Sequence, residues 1–134
     1  TGANDGKAVE KYLSFSGLNI GNPWCASFVA WCYHTAKVKA IKSAWSPAWF
    51  PSSKVVYTRG GFNNYLPQSG DVFGIYFKIL GRIAHVGFID KWGEKQVVTV
   101  EGNTNGAGSR EGDGVYRKIR LKSQIYKVSK WIND

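Results

Sequence analysis

The segment "GNPWCASFVAWCYH", from Gly21 to His34, decides how the rest of the chain is interpreted. Asn22 followed by Pro23 is a helix start signal, because it puts a capping residue before a proline at the first helical position. The residues that follow are almost all apolar or small, so the pattern predicts a buried helix from Pro23 to about Ala36. Cys25 would then lie in the first turn of that helix.

Both cysteines of the chain lie in this segment, at Cys25 and Cys32. This spacing along one helix corresponds to a rise of about 10 Å, whereas a disulfide needs Cα atoms within roughly 7 Å. The helix therefore excludes a bond between them. Zinc is also disfavoured, because the chain has no CxxC or HxxxH spacing and only 2 histidines. Each cysteine is then either a nucleophile or a small core residue.

Cys25 is the better candidate for a nucleophile. At a helix start, free N–H groups and the helix dipole stabilise a thiolate and lower the thiol pKa, and the same groups can form part of an oxyanion hole. Cys32 lies two turns deeper and is predicted to be a core residue. His34 would lie about 13 Å along the axis from Cys25, which predicts a surface position. His85 is left as the histidine that a thiolate nucleophile needs.

Helical patterns come first along the chain and strand patterns follow. The first helix is predicted to begin after an N-cap at Asp5 and to end at the segment from Phe15 to Gly17. Its apolar stripe consists of Ala8, Val9, Tyr12 and Leu13. Four runs rich in β-branched and aromatic residues predict strands: Asp71–Phe77, Arg82–Asp90, Gln96–Gly102 and Gly114–Leu121. Helices followed by an antiparallel meander predict an α+β fold, with the helices packed on the sheet.

His85 lies inside an apolar strand, and two features bear on its role. Gly87 is on the same face of the strand, which would leave open space beside the imidazole. If Trp92–Glu94 form a three-residue hairpin loop, Glu101 faces His85 across the ladder, with Asn103 one pleat further. Such a group would orient the imidazole for a thiol nucleophile. Spacing alone leaves both a catalytic set and a satisfied core histidine open.

The aromatic segment "SAWSPAWFPSS", from Ser43 to Ser53, is too interrupted for a long helix or strand. It is either a loop that covers the core or a groove wall in which Trp45 and Trp49 offer flat apolar surface to a ligand. Trp24, beside Cys25, has the same two possibilities, because it could line the groove or anchor the helix.

Length and charge limit the classes of function. The chain has 134 residues, of which 43 % are hydrophobic, and residues 1–134 are expected to form a single domain. The net charge of +9 favours an anionic partner (nucleic acid, an acidic membrane surface or a bacterial envelope), or it serves only to keep the surface soluble. No nucleic-acid-binding motif occurs, and no apolar run approaches the ~20 residues of a membrane span. A signal peptide is expected to be absent or already removed.

Four motifs, in order, resemble those of the CHAP family, the cysteine, histidine-dependent amidohydrolases/peptidases of the papain-like superfamily. They are "NPWCASFVAWC" for the nucleophile helix, "LPQSGDVFGIYF" for a Pro-x-x-Gly-Asp lead into the first core strand, "IAHVGFI" for the histidine strand and "VEGNTN" for a Glu-x-Asn segment. The resemblance runs from Gly6 to about Leu121.

The resemblance implies a papain-like fold with Cys25 as nucleophile, His85 as base, Glu101 as orienting group and Asn103 as a further polar member. It also implies hydrolysis of bacterial peptidoglycan, by an N-acetylmuramoyl-L-alanine amidase or a peptide endopeptidase. No cofactor is expected, and calcium is not carried over because no dense acidic loop occurs. We expect a monomer, secreted or periplasmic, that contacts peptidoglycan and anionic envelope polymers, without nucleic acid or membrane insertion.

Two alternatives remain open at this point. The same fold could bind wall glycan or peptide without turnover, although the complete set of catalytic residue types argues against that. The thiol could also carry out deamidation or transamidation of a protein.

Overall fold

The computed structural model describes residues 7–17, 24–104 and 114–133, with the side chains of residues 103 and 104 excepted. Two helices, α1 and α2, precede six strands, β1 to β6. The bounds are Lys7–Phe15 for α1, Cys25–Thr35 for α2, Val55–Thr58 for β1, Val72–Phe77 for β2, Arg82–Trp92 for β3, Gln96–Thr104 for β4, Gly114–Leu121 for β5 and Lys127–Ser129 for β6. Short 3₁₀ turns cover Ser46–Trp49 and Lys122–Gln124. The α+β class predicted from the sequence is confirmed.

Helix α1 forms where its apolar stripe was predicted. Val9, Tyr12 and Leu13 are buried on one face, whereas Ala8 is exposed and does not belong to that face. The helix ends at Phe15, and Gly17 then has a positive φ of 76°, a conformation that glycine adopts without a Cβ penalty. The predicted cap at Asp5 lies outside the described residues.

Helix α2 is buried over most of its surface, as its apolar composition predicts. Residues 25–30 and Tyr33 are buried, and Trp24 is the residue that precedes the first turn. Its carbonyl accepts the first helical hydrogen bond, from the N–H of Phe28 at 2.9 Å. The predicted start signal at Asn22 and Pro23 lies outside the described residues.

The sheet is antiparallel, with the strand order β1-β6-β2-β3-β4-β5. The meander from β2 to β5 was predicted, whereas β1 and β6 were not. Successive residues of β2 belong to different hydrophobic clusters: Val72 packs with the helices, and Phe73 packs with Ile89 and Val97. Both faces of the sheet are therefore covered. Tyr57 of β1 meets Trp92 of β3 at a ring distance of 4.9 Å across two intervening strands, so the sheet curves.

The Pro-x-x-Gly-Asp segment fixes the lead into β2. Asp71 is buried, and its carboxylate accepts hydrogen bonds from the Gln68 N–H at 2.8 Å and the Tyr65 hydroxyl at 3.0 Å. Gly70 has a φ of 93°, and its N–H donates to the Ile89 carbonyl at 2.8 Å. This turn ties the start of β2 to the strand that bears the histidine.

The register of β3 and β4 differs from the predicted one. Phe88 pairs with Val100, which by counting along the antiparallel strands places Glu101 opposite residue 87. Glu101 therefore lies diagonal to His85, on the same face, instead of directly opposite. The loop between the strands spans residues 93–95, one position later than predicted, and Asp90 forms a bulge in β3.

Candidate active site

Cys25 is placed at the start of a buried helix. It is the first residue of α2, its side chain is 4 % exposed, and both cysteines of the chain are free thiols. The first N–H groups of a helix have no acceptor within the helix, so they present positive partial charge beside the thiol. This position suits a thiolate and the anion that would form when it attacks a carbonyl.

Two groups from other elements contact the sulfur. The Oγ of Ser46, on the first 3₁₀ turn, lies 3.6 Å from the Cys25 Sγ. The backbone of Val86, on β3, also forms a hydrogen bond with the thiol. Ser46 was not singled out from the sequence, because only the packing of the Ser43–Ser53 segment against α2 brings it to the sulfur.

His85 lies on β3 next to a local irregularity. Ile75 pairs with His85, but the next residue of β2 pairs with Ile83, so Ala84 is an extra residue in β3. A bulge of this kind redirects neighbouring side chains and is frequent beside active sites. The Nε2 of His85 is 2.7 Å from the Oε1 of Glu101, and both side chains are almost completely buried.

The other ring nitrogen of His85, Nδ1, is left for the thiol. It is buried and has no hydrogen-bond partner of good geometry among the described residues. The imidazole interacts with the Cys25 thiol all the same, and Glu101 already occupies Nε2. Contacts of this kind are often long or misaligned in an unliganded site and tighten when substrate binds.

The interaction of the two groups changes the pKa of each. Burial alone would raise the pKa of the Cys25 thiol, but hydrogen bonding to His85 and the charge of its imidazolium outweigh burial and lower it from 9.0 to about 7. Burial would also lower the pKa of His85, yet Cys25 and Glu101 raise it from 6.5 to about 9. The coupled pair is therefore a thiolate and an imidazolium between about pH 7 and pH 9.

Glu101 is a fully buried carboxylate with several donors. Besides His85, it accepts hydrogen bonds from the Thr99 hydroxyl at 2.5 Å and from Arg120, whose Nε and Nη2 lie 2.5 and 2.6 Å from its two oxygens. Burial would raise its pKa, but Arg120 and His85 hold the pKa of this carboxyl far below its ordinary range. Thr99 and Arg120 were missed from the sequence. The alternation of β5 could not have found Arg120, because it places the apolar Val115, Ile119 and Leu121 on the other face of the strand, and in the structure those three are exposed while Arg120 is buried.

The arrangement therefore consists of a thiol at a helix start, an imidazole beside it and a carboxylate behind the imidazole. The CHAP domain family profile matches residues 17–103, which is more than half of the chain and includes all three residues. The chain belongs to the CHAP domain family. Neither a curated protein nor a solved structure gives a significant match to the chain.

CHAP domains are typically hydrolases, and they are typical of extracellular cell-wall enzymes. Within the described residues, no helix is long and apolar enough to cross a membrane. The same part of the chain contains no group of three or more His, Cys, Asp or Glu side chains arranged to hold a metal ion. The side chain of Asn103, the fourth residue of the expected set, lies outside the described residues.

Two of the three tryptophans expected to face a ligand are core residues in this CHAP domain. Trp24 is 1 % exposed and stacks on Tyr12 at a ring distance of 5.3 Å. Trp49 is 0 % exposed, packs on Trp131 and donates its indole N–H to the Ser43 carbonyl. The expected ligand-facing role of these two side chains is therefore wrong for this structure, because neither presents surface to solvent.

Trp45 is different, because its side chain is 60 % exposed. It immediately precedes Ser46, the residue whose hydroxyl contacts the Cys25 sulfur. Of the three tryptophans, Trp45 alone keeps surface available to a ligand near the thiol.

The space expected beside His85 is occupied. A Cβ placed on Gly87 would lie 2.8 Å from the Phe73 ring and 2.9 Å from the Val100 carbonyl. The phenyl ring of Phe73 fills that position, and its centre is 6.2 Å from that of the imidazole. Gly87 therefore permits a close approach of the ring and the neighbouring strand, which supports His85 from one side and leaves no room there for substrate.

The other two residues of the opening segment lie apart from the site. Burial raises the pKa of Cys32 to about 11, so this thiol stays neutral. His34 is exposed at the other end of α2, where its ring packs on Phe15. Both placements agree with the interpretation made from helical geometry.

Proposed function

We propose that this CHAP domain is a cysteine hydrolase that cleaves an amide bond of bacterial peptidoglycan, as an N-acetylmuramoyl-L-alanine amidase or a peptide endopeptidase. The observation that supports this best is the coupled pair of Cys25 and His85 at a helix start, with Glu101 bonded to the far side of the imidazole. The pair holds the reactive thiolate form near neutral pH, which is what a cysteine nucleophile requires.

The mechanism proceeds through an acyl-enzyme. The Cys25 thiolate attacks the amide carbonyl, and the tetrahedral oxyanion forms beside the N–H groups of the helix start. The His85 imidazolium then donates its proton to the leaving amine, and the C–N bond breaks. His85, now neutral, takes a proton from water as the water attacks the thioester, and the C–S bond then breaks to release the carboxylic acid and restore the Cys25 thiolate beside the His85 imidazolium. Glu101 keeps the imidazole oriented throughout.

The surface of the protein fits an anionic, extracellular substrate. The net charge of +9 favours contact with the anionic polymers of a bacterial envelope. The exposed indole of Trp45, next to Ser46, offers flat apolar surface for a sugar ring or stem peptide. We propose accordingly that the domain works as a monomer in the envelope or outside the cell, without nucleic-acid partners and without insertion into a membrane.

The test is product release from purified bacterial sacculi, followed by mass spectrometry of the soluble fragments. The wild-type protein should release fragments with new amine and carboxyl ends, and Cys25→Ala should release none. Cys32→Ala is the matched control, because it removes the other thiol and should keep activity.

Three results would contradict the proposal. Release by Cys25→Ala would exclude the thiol mechanism, and wall binding by both proteins without release would indicate a binding module. Modification of protein side-chain amides in place of wall fragments would indicate a deamidase or transamidase.

A further inference from the structure

Arg120 and Glu101 form a buried pair that the proposed reaction does not use directly. The Glu101 side chain is fully buried and that of Arg120 is 9 % exposed. Arg120 binds both carboxylate oxygens, in the fork geometry that a guanidinium forms with a carboxylate. The Thr99 hydroxyl donates a third hydrogen bond to this carboxylate, and His85 makes the fourth.

The pair constrains the proton of the imidazole. An ionised carboxylate only accepts hydrogen bonds, so a neutral His85 bonded to it must carry its proton on Nε2. The base toward Cys25 is then the lone pair of Nδ1. A protonated Glu101 would instead donate to Nε2, and the proton of the neutral ring would then be on Nδ1. Nδ1 could not accept a proton from the thiol or from water in that form.

We propose that Arg120 is a positioning residue of this site: by holding Glu101 ionised, it fixes neutral His85 as the Nε2–H tautomer, with Nδ1 as the base. The consequence for catalysis rests on the proposed function, whereas the tautomer itself does not. Arg120 lies beyond residues 17–103, so the family match does not cover it.

The charges around Glu101 support this role. His85 and Arg120 both lower the pKa of its carboxyl, against the effect of burial. Lys118, also on β5, is a further cation whose charge acts on Glu101, but it forms neither of the two fork contacts. Without Arg120, burial would favour the protonated acid, because an isolated carboxylate is costly to bury.

The tautomer can be read directly by ¹⁵N NMR, because the chain has only 2 histidines. We would label histidine with ¹⁵N in Cys25→Ala, where no thiolate competes for the ring proton and His34 serves as an internal reference. Above the titration of His85, the expected spectrum shows a protonated Nε2 and an unprotonated Nδ1. A proton on Nδ1 in this protein would overturn the proposal.

Three further variants assign the effect to Arg120. Arg120→Gln in the same background should move the His85 proton to Nδ1, and Arg120→Lys, which keeps the cation, should retain the Nε2–H form. Arg117→Gln is the matched control, because that arginine is on the same strand and pairs with Asp90 at an exposed position. An unchanged tautomer in folded Arg120→Gln would overturn the proposal.

A second measurement uses the intact thiol and no wall substrate. With Cys25 present, Arg120→Gln should raise the pH midpoint of Cys25 alkylation, because a neutral Glu101 no longer stabilises the imidazolium. A midpoint that stays or falls would mean that Glu101 remains ionised without Arg120, and would overturn the proposal. Turnover on sacculi should fall at least about a hundredfold in Arg120→Gln, and less in Arg120→Lys. Because neither the spectra nor the alkylation involves peptidoglycan, failure of the proposed substrate would leave both results interpretable.

Discussion

The pH dependence of Cys25 alkylation tests the central feature of the site, the coupling of the thiol to His85. The thiol pKa is about 7 in place of 9.0, although burial works in the opposite direction. A difference of this size corresponds to about 3 kcal/mol of preference for the thiolate. At pH 7, about half of the Cys25 thiol is then ionised, against about 1 % for an unperturbed thiol. In His85→Ala, burial remains and the largest effect that opposes it is lost, while the weaker effects of Ser46 and the Val86 backbone stay, so the thiol pKa should rise to about 9.0 or above.

The assay is the rate of iodoacetamide alkylation between pH 5 and pH 10, in a Cys32→Ala background so that one thiol reports. With His85 in place, the rate should rise through a midpoint near 7. In His85→Ala, the rate at pH 7 should fall by at least about fiftyfold, with its midpoint at about 9.0 or above. If His85→Ala keeps a midpoint near 7, then groups other than His85 (the helix start, Ser46 or the Val86 backbone) lower the thiol pKa, and the thiol is not coupled to His85.

Two further predictions concern stability. The pKa of Glu101 is held below its ordinary value of 4.5, so its contribution to the free energy of unfolding is complete above pH 4.5 and is lost as the pH falls from 4.5 toward the folded-state pKa. The free energy of unfolding in urea should therefore decrease more steeply toward acid pH in wild type than in Glu101→Gln. Equal slopes in the two proteins would contradict the pairing. Trp49→Ala should cost about 3–5 kcal/mol of unfolding free energy, whereas Trp45→Ala should change it by no more than ~0.5 kcal/mol and weaken binding to sacculi. A stable Trp49→Ala protein in the same urea series would contradict the core placement of that ring.

The parts of the fold that depend on local pattern were predictable from the sequence. Three local patterns each predict their element: the apolar stripe of α1, the apolar composition of α2 and the β-branched runs of β2 to β5. They do so because buried positions recur at the period of the helix or strand and are filled by apolar residues. Strands β1 and β6 were missed because they have only four and three residues. Such short segments show no period, and they become strands only by pairing with each other and with β2.

The candidate site was predictable only in part, because its parts meet through long-range packing. Helical geometry could remove Cys32 and His34 from the site, since that argument needs one element alone. Ser46 and Arg120 could not be found in the same way. The first reaches the thiol through a 3₁₀ turn and the second reaches Glu101 from β5, and neither contact follows from spacing along the chain.

The bulge at Asp90 shows how much a single residue decides here. Beyond the bulge, Trp92 pairs with Val97, and that register continued without interruption would place Glu101 opposite Phe88. Directly opposed residues share a face, and residues 85 and 88 lie on different faces of a regular strand, so Glu101 would then point away from His85. The extra residue shifts the pairing by one and returns Glu101 to the imidazole. A bulge leaves no periodic pattern in the sequence. The sequence therefore predicted that Glu101 shares a face with His85, but it could not predict the β3–β4 register that puts Glu101 there.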